Sequence, residues 1–175
     1  MNQTRHEFSD TDRRLLRHFL AAIAYRTQKA VRDAPDEFAD FRAAPGVRTP
    51  HQLVRHMSDV LGYARTTFQG GTWRARTLSG FSEEIARFHQ LLGSLGEDIE
   101  TADFGRVTPG QLLQGPLADA MTHAGQLAML RRLSGSPIPP ENFIVATIDA
   151  DNVGTDQPAA TSEDADWYDA EDEPW

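Results

Sequence analysis

The residues able to do chemistry in this chain are its histidines and a few carboxylates. The 175 residues include no cysteine, which excludes disulfides, thiolate zinc sites, iron–sulfur clusters and a cysteine nucleophile. The six histidines are His6, His18, His51, His56, His89 and His123. His56 follows Leu53 by three residues and precedes Val60 by four, so on a helix it lies on the apolar side. Asp119 and His123 are four residues apart, about 400° of helical rotation, so both leave one face a turn apart. Leu127 and Leu130 continue that face, which points it inward.

An inward histidine on one helix and an inward Asp/His pair on another are the parts of a metal site in a bundle core. Buried imidazole and carboxylate are costly without partners, and a divalent cation removes that cost. Three ligands, His56, Asp119 and His123, leave a position for water or substrate, the open arrangement of a catalytic site. Nitrogen and oxygen donors suit zinc, nickel or iron(II) alike. The plainer reading stays open beside this one. Asp and His at this spacing also form simple hydrogen bonds, and one inward histidine is commonly a satisfied core residue.

The remaining candidates are weaker. His51 falls in the first turn of its helix and is expected to be exposed; His89, between Phe88 and Gln90, is expected on a solvated face; His18 is expected to border the core cavity without ligating. Gly70–Gly71 with Trp73, Arg74 and Arg76 reads as a turn, with a mobile rim to the site as the second reading. No G-x-S-x-G, Walker-type or G-x-G-x-x-G motif occurs, so serine hydrolase, nucleotide and dinucleotide chemistry are not signalled. Catalytic and cofactor-binding side chains beyond the ligand set are not marked by any motif.

Four amphipathic segments must position these groups. The first spans about Asp10 to Val31, with Asp10 as its expected N-cap and Leu15, Leu16, Phe19, Leu20 and Ile23 as its stripe. The second spans about Pro50 to Phe68 behind a Thr49 N-cap and stops at Gly70–Gly71. The third runs from near Ser82 to Glu100, weakened at Gly93 and Gly96. The fourth begins near Thr108–Pro109 or after Gly115–Pro116 and ends at Gly135, where Arg131 and Arg132 suit the helix dipole and three prolines forbid continuation. Four such stripes bury one another most simply in an all-α four-helix bundle. The connections between Val31 and Pro50 and between Phe68 and Ser82 are long enough to cross an end or hold a short extra helix. The segment from Phe143 to Ile148 reads as a short extended piece.

Charge divides the chain into a body, residues 1–148, and an acidic tail, residues 149–175. The net charge is −9, yet the tail alone holds ten Asp/Glu and no Lys/Arg, which leaves the body near neutral. No basic patch tracks phosphates, so nucleic acid is not an expected partner. No membrane span or signal peptide is read from the sequence, which makes the cytoplasm the default location. The tail composition is that of a solvated segment. Its Trp167, Tyr168 and Trp175 also admit a fold-back in which Trp167 or Trp175 caps the open end of the bundle.

Two stretches carry a resemblance. THAGQLAMLRRLSGSP, from Thr122 to Pro137, resembles the last-helix signature of the DinB/YfiT superfamily, an H-x-x-x-H-x-G-Q-L helix with a leucine/arginine run and a Gly–x–Pro exit. TPHQLVRHMSDVLGYA, from Thr49 to Ala64, is similar to that family's second helix. The resemblance covers about Asp10 to Asn142. It implies an up-down-down-up bundle, commonly a homodimer, with a three-ligand divalent-metal site: His56 from the second helix, His123 as the later fourth-helix ligand, and Asp119 where the family usually has histidine. The mycothiol-dependent maleylpyruvate isomerases look similar and place a carboxylate at that position. Family members of known activity are isomerases or S-transferases that use mycothiol, bacillithiol or glutathione.

The resemblance therefore implies a metal-dependent S-transferase or isomerase that acts on a small-molecule substrate with a low-molecular-weight thiol as cofactor. The alternative is a non-enzymatic helical dimer or interaction module, with a vacant metal site and the acidic tail as its partner-binding element.

Overall fold

The computed structural model describes residues 6–102 and 104–160, so Trp167, Tyr168 and Trp175 lie outside the described residues. Its long elements are all α-helices. Helix α1 is Asp10–Val31, α2 is Pro50–Gln69 and α3 is Phe81–Thr101. A four-residue helix α4, Pro109–Leu112, runs through a π turn, Leu113–Leu117, into α5, Ala118–Leu133. The helical run therefore starts at Pro109, the first of the two expected starts, and the second, after Gly115–Pro116, is the point where the π turn gives way to α5. Among the described residues no helix is long and apolar enough to cross a membrane.

The helix starts follow from reciprocal capping. Thr49 Oγ1 accepts from Gln52 N–H at 3.3 Å while Gln52 Oε1 accepts from Thr49 N–H at 3.1 Å, and Thr108 and Gln111 repeat the device before α4. On α1 the cap is Ser9 rather than Asp10, because Asp12 can return the bond: its carboxylate accepts from Ser9 N–H at 3.0 Å. That bonding holds the Asp12 carboxyl below its usual range. Helix α2 ends where Gly70 and Gly71 take φ of +77° and +81°, a conformation that costs other residues a Cβ clash.

Helices α1 and α2 each pack against both α3 and α5, so the four stripes meet in one core. Leu20, Ile23, Met57, Leu61, Leu92 and Leu127 are among its fully buried members. Each such side chain contributes about 1.5–3 kcal/mol by leaving water. Leu15, expected in the stripe of the first helix, is exposed instead, and so is Leu133. Leu15 lies one position round the helix from buried Leu16, and Leu133 is the last residue of α5. The connection after α1 holds the anticipated short helix, a 3-10 turn at Asp36–Asp40 that buries Phe38. A two-residue antiparallel pairing of β1, His6–Glu7, with β2, Phe104–Gly105, was not foreshadowed by any strand pattern.

Beyond α5 the chain returns along α1. Glu141 is buried and accepts from Tyr25 Oη–H at 2.6 Å and from Lys29 Nζ at 2.7 Å. Burial and this carboxylate push the Tyr25 phenol well above its usual range. The expected extended piece from Phe143 to Ile148 begins instead with a turn: Asn142 Oδ1 accepts from Ile144 N–H at 3.1 Å, the local bond that makes asparagine a turn former.

The first residues of the acidic segment are not free chain. Asp151 pairs with Arg17, the Gln157 carbonyl accepts from Arg32, and the Val153 carbonyl lies 2.8 Å from His89 Nδ1. His89 is thus buried rather than solvated, because this strap covers its face of α3. A carbonyl accepts only, so Nδ1 carries the proton, and among the described residues the buried Nε2 has no hydrogen-bond partner. His18 is exposed. His51, expected outside, is half-buried with Nε2 3.9 Å from the buried Glu84 carboxylate, because Phe81 and the head of α3 close over it.

Two outcomes follow. Trp73 lies directly on the backbone of α2 at Gly62, where a Cβ would overlap its indole ring. Gly62→Ala should cost about 1–3 kcal/mol, read as a lower denaturant midpoint. Burial holds the His89 imidazole below its usual pKa of about 6.5, partly offset by its bond to Val153. The unfolded chain therefore takes the proton first as pH falls. This residue's contribution is intact above pH ~6.5 and is lost progressively below it. His89→Asn keeps a donor for Val153 and cannot titrate, so its melting temperature should fall less than the wild type's between neutral and mildly acidic pH.

Candidate metal centre

Pro116 has no N–H to donate, and its ring would crowd the Leu112 carbonyl in an α register. Widening one turn to π geometry absorbs it. The phase change is visible in burial: Leu112 and Leu117 are five residues apart, yet both face the core. Downstream, Ala120, Ala124 and Leu127 hold that face, and Asp119 and His123 project beside it toward α2.

There they meet His56. Ligand atoms of His56, Asp119 and His123 lie within 4.8 Å of one another, delivered by two helices. His56 Nε2 is 3.7 Å from Asp119 Oδ2, and the two imidazole rings are 4.8 Å apart between centroids at 60°. Donors held at about 2.0–2.2 Å by a tetrahedral ion stand roughly 3.3–3.6 Å apart; the His56–Asp119 pair is already near that spacing, and the third ligand lies within 4.8 Å of both. His123 Nδ1 lies 2.7 Å from the backbone carbonyl of Asp119 and 3.2 Å from its Oδ1. Nδ1 is therefore the protonated nitrogen, and Nε2 keeps its lone pair. Metal-ligating imidazoles are oriented in this way by a carbonyl behind them. The donor set fits a divalent ion.

The three side chains form a gradient of access, with 9% of the His123 side chain exposed, 31% of His56 and 44% of Asp119. Burial, then nearby Arg48 and His123, holds the His56 imidazole below its usual pKa, while Asp119 and Asp59 act in the opposite direction. At neutral pH the ring is uncharged, the form that donates to a metal. An open cleft of about 510 Å³ begins at His56 and Asp119 and is lined further by Asp59, Val60, Tyr63, Gly115 and Pro116.

Each ligand proposed from spacing is thus at one place. His18, His51 and His89 are not part of it. Trp73, Arg74 and Arg76 do not line the cleft, which goes against the second reading of that segment as a rim; their loop touches it through Asp59, whose Oδ1 accepts from Ala75 N–H. Asp59 and Tyr63 follow His56 by three and seven residues, a helical spacing that was available as a signal. Gly115 and Pro116 entered only as a helix boundary.

No known family, curated protein or solved structure matches the chain.

A ligand that binds only the folded state stabilises it by mass action, about 2.7 kcal/mol at one hundred times its dissociation constant. Zinc added to protein purified without a histidine tag should raise the melting temperature, and EDTA should reverse the shift. In His123→Ala the shift should vanish.

Proposed function

We propose that this chain is a divalent-metal-binding protein of DinB-like, up-down-down-up architecture that acts with a low-molecular-weight thiol, as an S-transferase or isomerase. The observation that carries the reading is the convergence of His56, Asp119 and His123 at the head of an open cleft. The metal would be zinc, nickel or iron(II), held by two imidazoles and one carboxylate. When bound, it supplies Lewis acidity that lowers the pKa of a coordinated thiol.

The rest falls to the chain's own residues. His123, pinned through Nδ1 by the Asp119 carbonyl, fixes the deepest donor. Asp119, the most exposed of the three, stands where an incoming ligand meets the site. Val60, Tyr63 and Pro116 offer largely apolar walls against which a substrate can rest. The chain contains no cysteine, so thiol chemistry here requires sulfur from a cofactor. The arrangement of α1 and α2 against α3 and α5 supports the bundle reading, and the TPHQLVRH and THAGQL stretches support the family reading.

Metal analysis after tag-free purification is the first test. About one divalent ion per chain is expected, lost in His123→Ala. Thiol consumption with a panel of electrophiles should then depend on the metal and disappear with the same variant. A protein that takes up no metal under reconstitution would overturn the enzyme reading and leave the interaction module.

A further inference from the structure

The lining of the metal cleft has a one-sided charge. Asp59 and Asp119 are its carboxylates, and among the described residues no lysine or arginine lines it. The remaining walls are Val60, Tyr63, Gly115 and Pro116, which bring apolar surface and little hydrogen-bonding capacity. Asp59 is fixed in place, since its Oδ1 holds the Ala75 amide. Arg48, the cation felt at His56, borders a different groove, with Val47, Met129 and Leu130.

From this we infer that the cleft selects thiols and substrates whose body is uncharged and apolar, or cationic, and rejects those that carry carboxylates, with Asp59 as the residue that sets the discrimination. The inference rests on the metal reading above. Two neutral imidazoles, one carboxylate and a divalent ion leave a single positive charge. Asp59 cancels it within the cleft lining, so a coordinated thiolate leaves that lining negative, with Arg48 acting in the opposite sense from the neighbouring groove. A further carboxylate on the same ligand then meets repulsion from Asp59 and Asp119 across a cleft whose lining, among the described residues, offers no cation to pair with it. Specificity here comes from a like charge built against the wrong ligand rather than from extra contacts to the right one.

The test uses full-length protein loaded with cobalt(II) and titrated with three probes: benzyl mercaptan, cysteamine and mercaptosuccinate. Sulfur-to-cobalt charge-transfer absorbance reports binding without any enzymatic assay. Mercaptosuccinate should bind on the order of tenfold or more weakly than benzyl mercaptan. Asp59→Asn retains an oxygen for Ala75 and should shrink that ratio severalfold without loss of cobalt. Tyr63→Arg, at an exposed rim position, should also tighten mercaptosuccinate selectively, which keeps the test alive if the Asp59 variant folds poorly. Comparable affinities for the three probes, or a ratio that neither variant moves, overturns the charge selection while leaving the metal site intact. Failure to take up cobalt overturns both.

Discussion

A helix cannot hold a proline in its interior without surrendering a hydrogen bond, and the way this chain accommodates Pro116 governs where its chemistry sits. The π turn Leu113–Leu117 changes the phase of everything after it. Leu117, Ala120, Ala124 and Leu127 turn inward as a result, and Asp119 and His123 come to lie along the seam with α2. Those two residues share a face by their own spacing; that this face meets His56 depends on the phase set upstream.

The ends of the helices are held by buried polar contacts rather than by more hydrophobic surface. Arg131 is buried near the end of α5 and donates to the Ala30 and Arg32 carbonyls at 3.3 and 3.0 Å, and to the Ser136 carbonyl at 2.9 Å. One guanidinium thereby satisfies orphan carbonyls at the end of α1 and the exit of α5. Glu141 does the opposite task with Tyr25 and Lys29, as an acceptor for the returning chain. Such groups are costly once stripped of partners, so they fix how the elements meet more than they add to net stability.

Much of this was legible in the sequence where a single segment decides the outcome. The all-helical class, the Thr49 cap, the glycine stop after α2 and the Asp119/His123 spacing are local properties. What misled was burial decided from elsewhere in the chain. His89 looks solvated on its own helix and is covered by Val153, sixty-four residues later. His51 looks exposed in a first turn and is closed over by Phe81 and Glu84. The strap itself, read as acidic tail, is tethered by Arg17 and Arg32, whose partners no periodicity could name. Arg131 reads in the sequence only as a last-turn residue suited to the helix dipole, and it is also a buried donor to three carbonyls. The π turn escaped because a proline within a helical pattern signals a boundary more readily than a change of phase.

The seat of Trp73 on Gly62 has a practical side. Of the chain's three tryptophans, it is the one among the described residues, and Gly62 is six residues from His56, about 9 Å along α2. An indole that close to a transition ion is a built-in optical ruler. Nickel, with its partly filled d shell, drains its emission through energy transfer, whereas zinc, with a full shell, leaves it bright. In a chain whose other two indoles are replaced by phenylalanine, the colour and intensity of one side chain would report which element the cell has placed beside it.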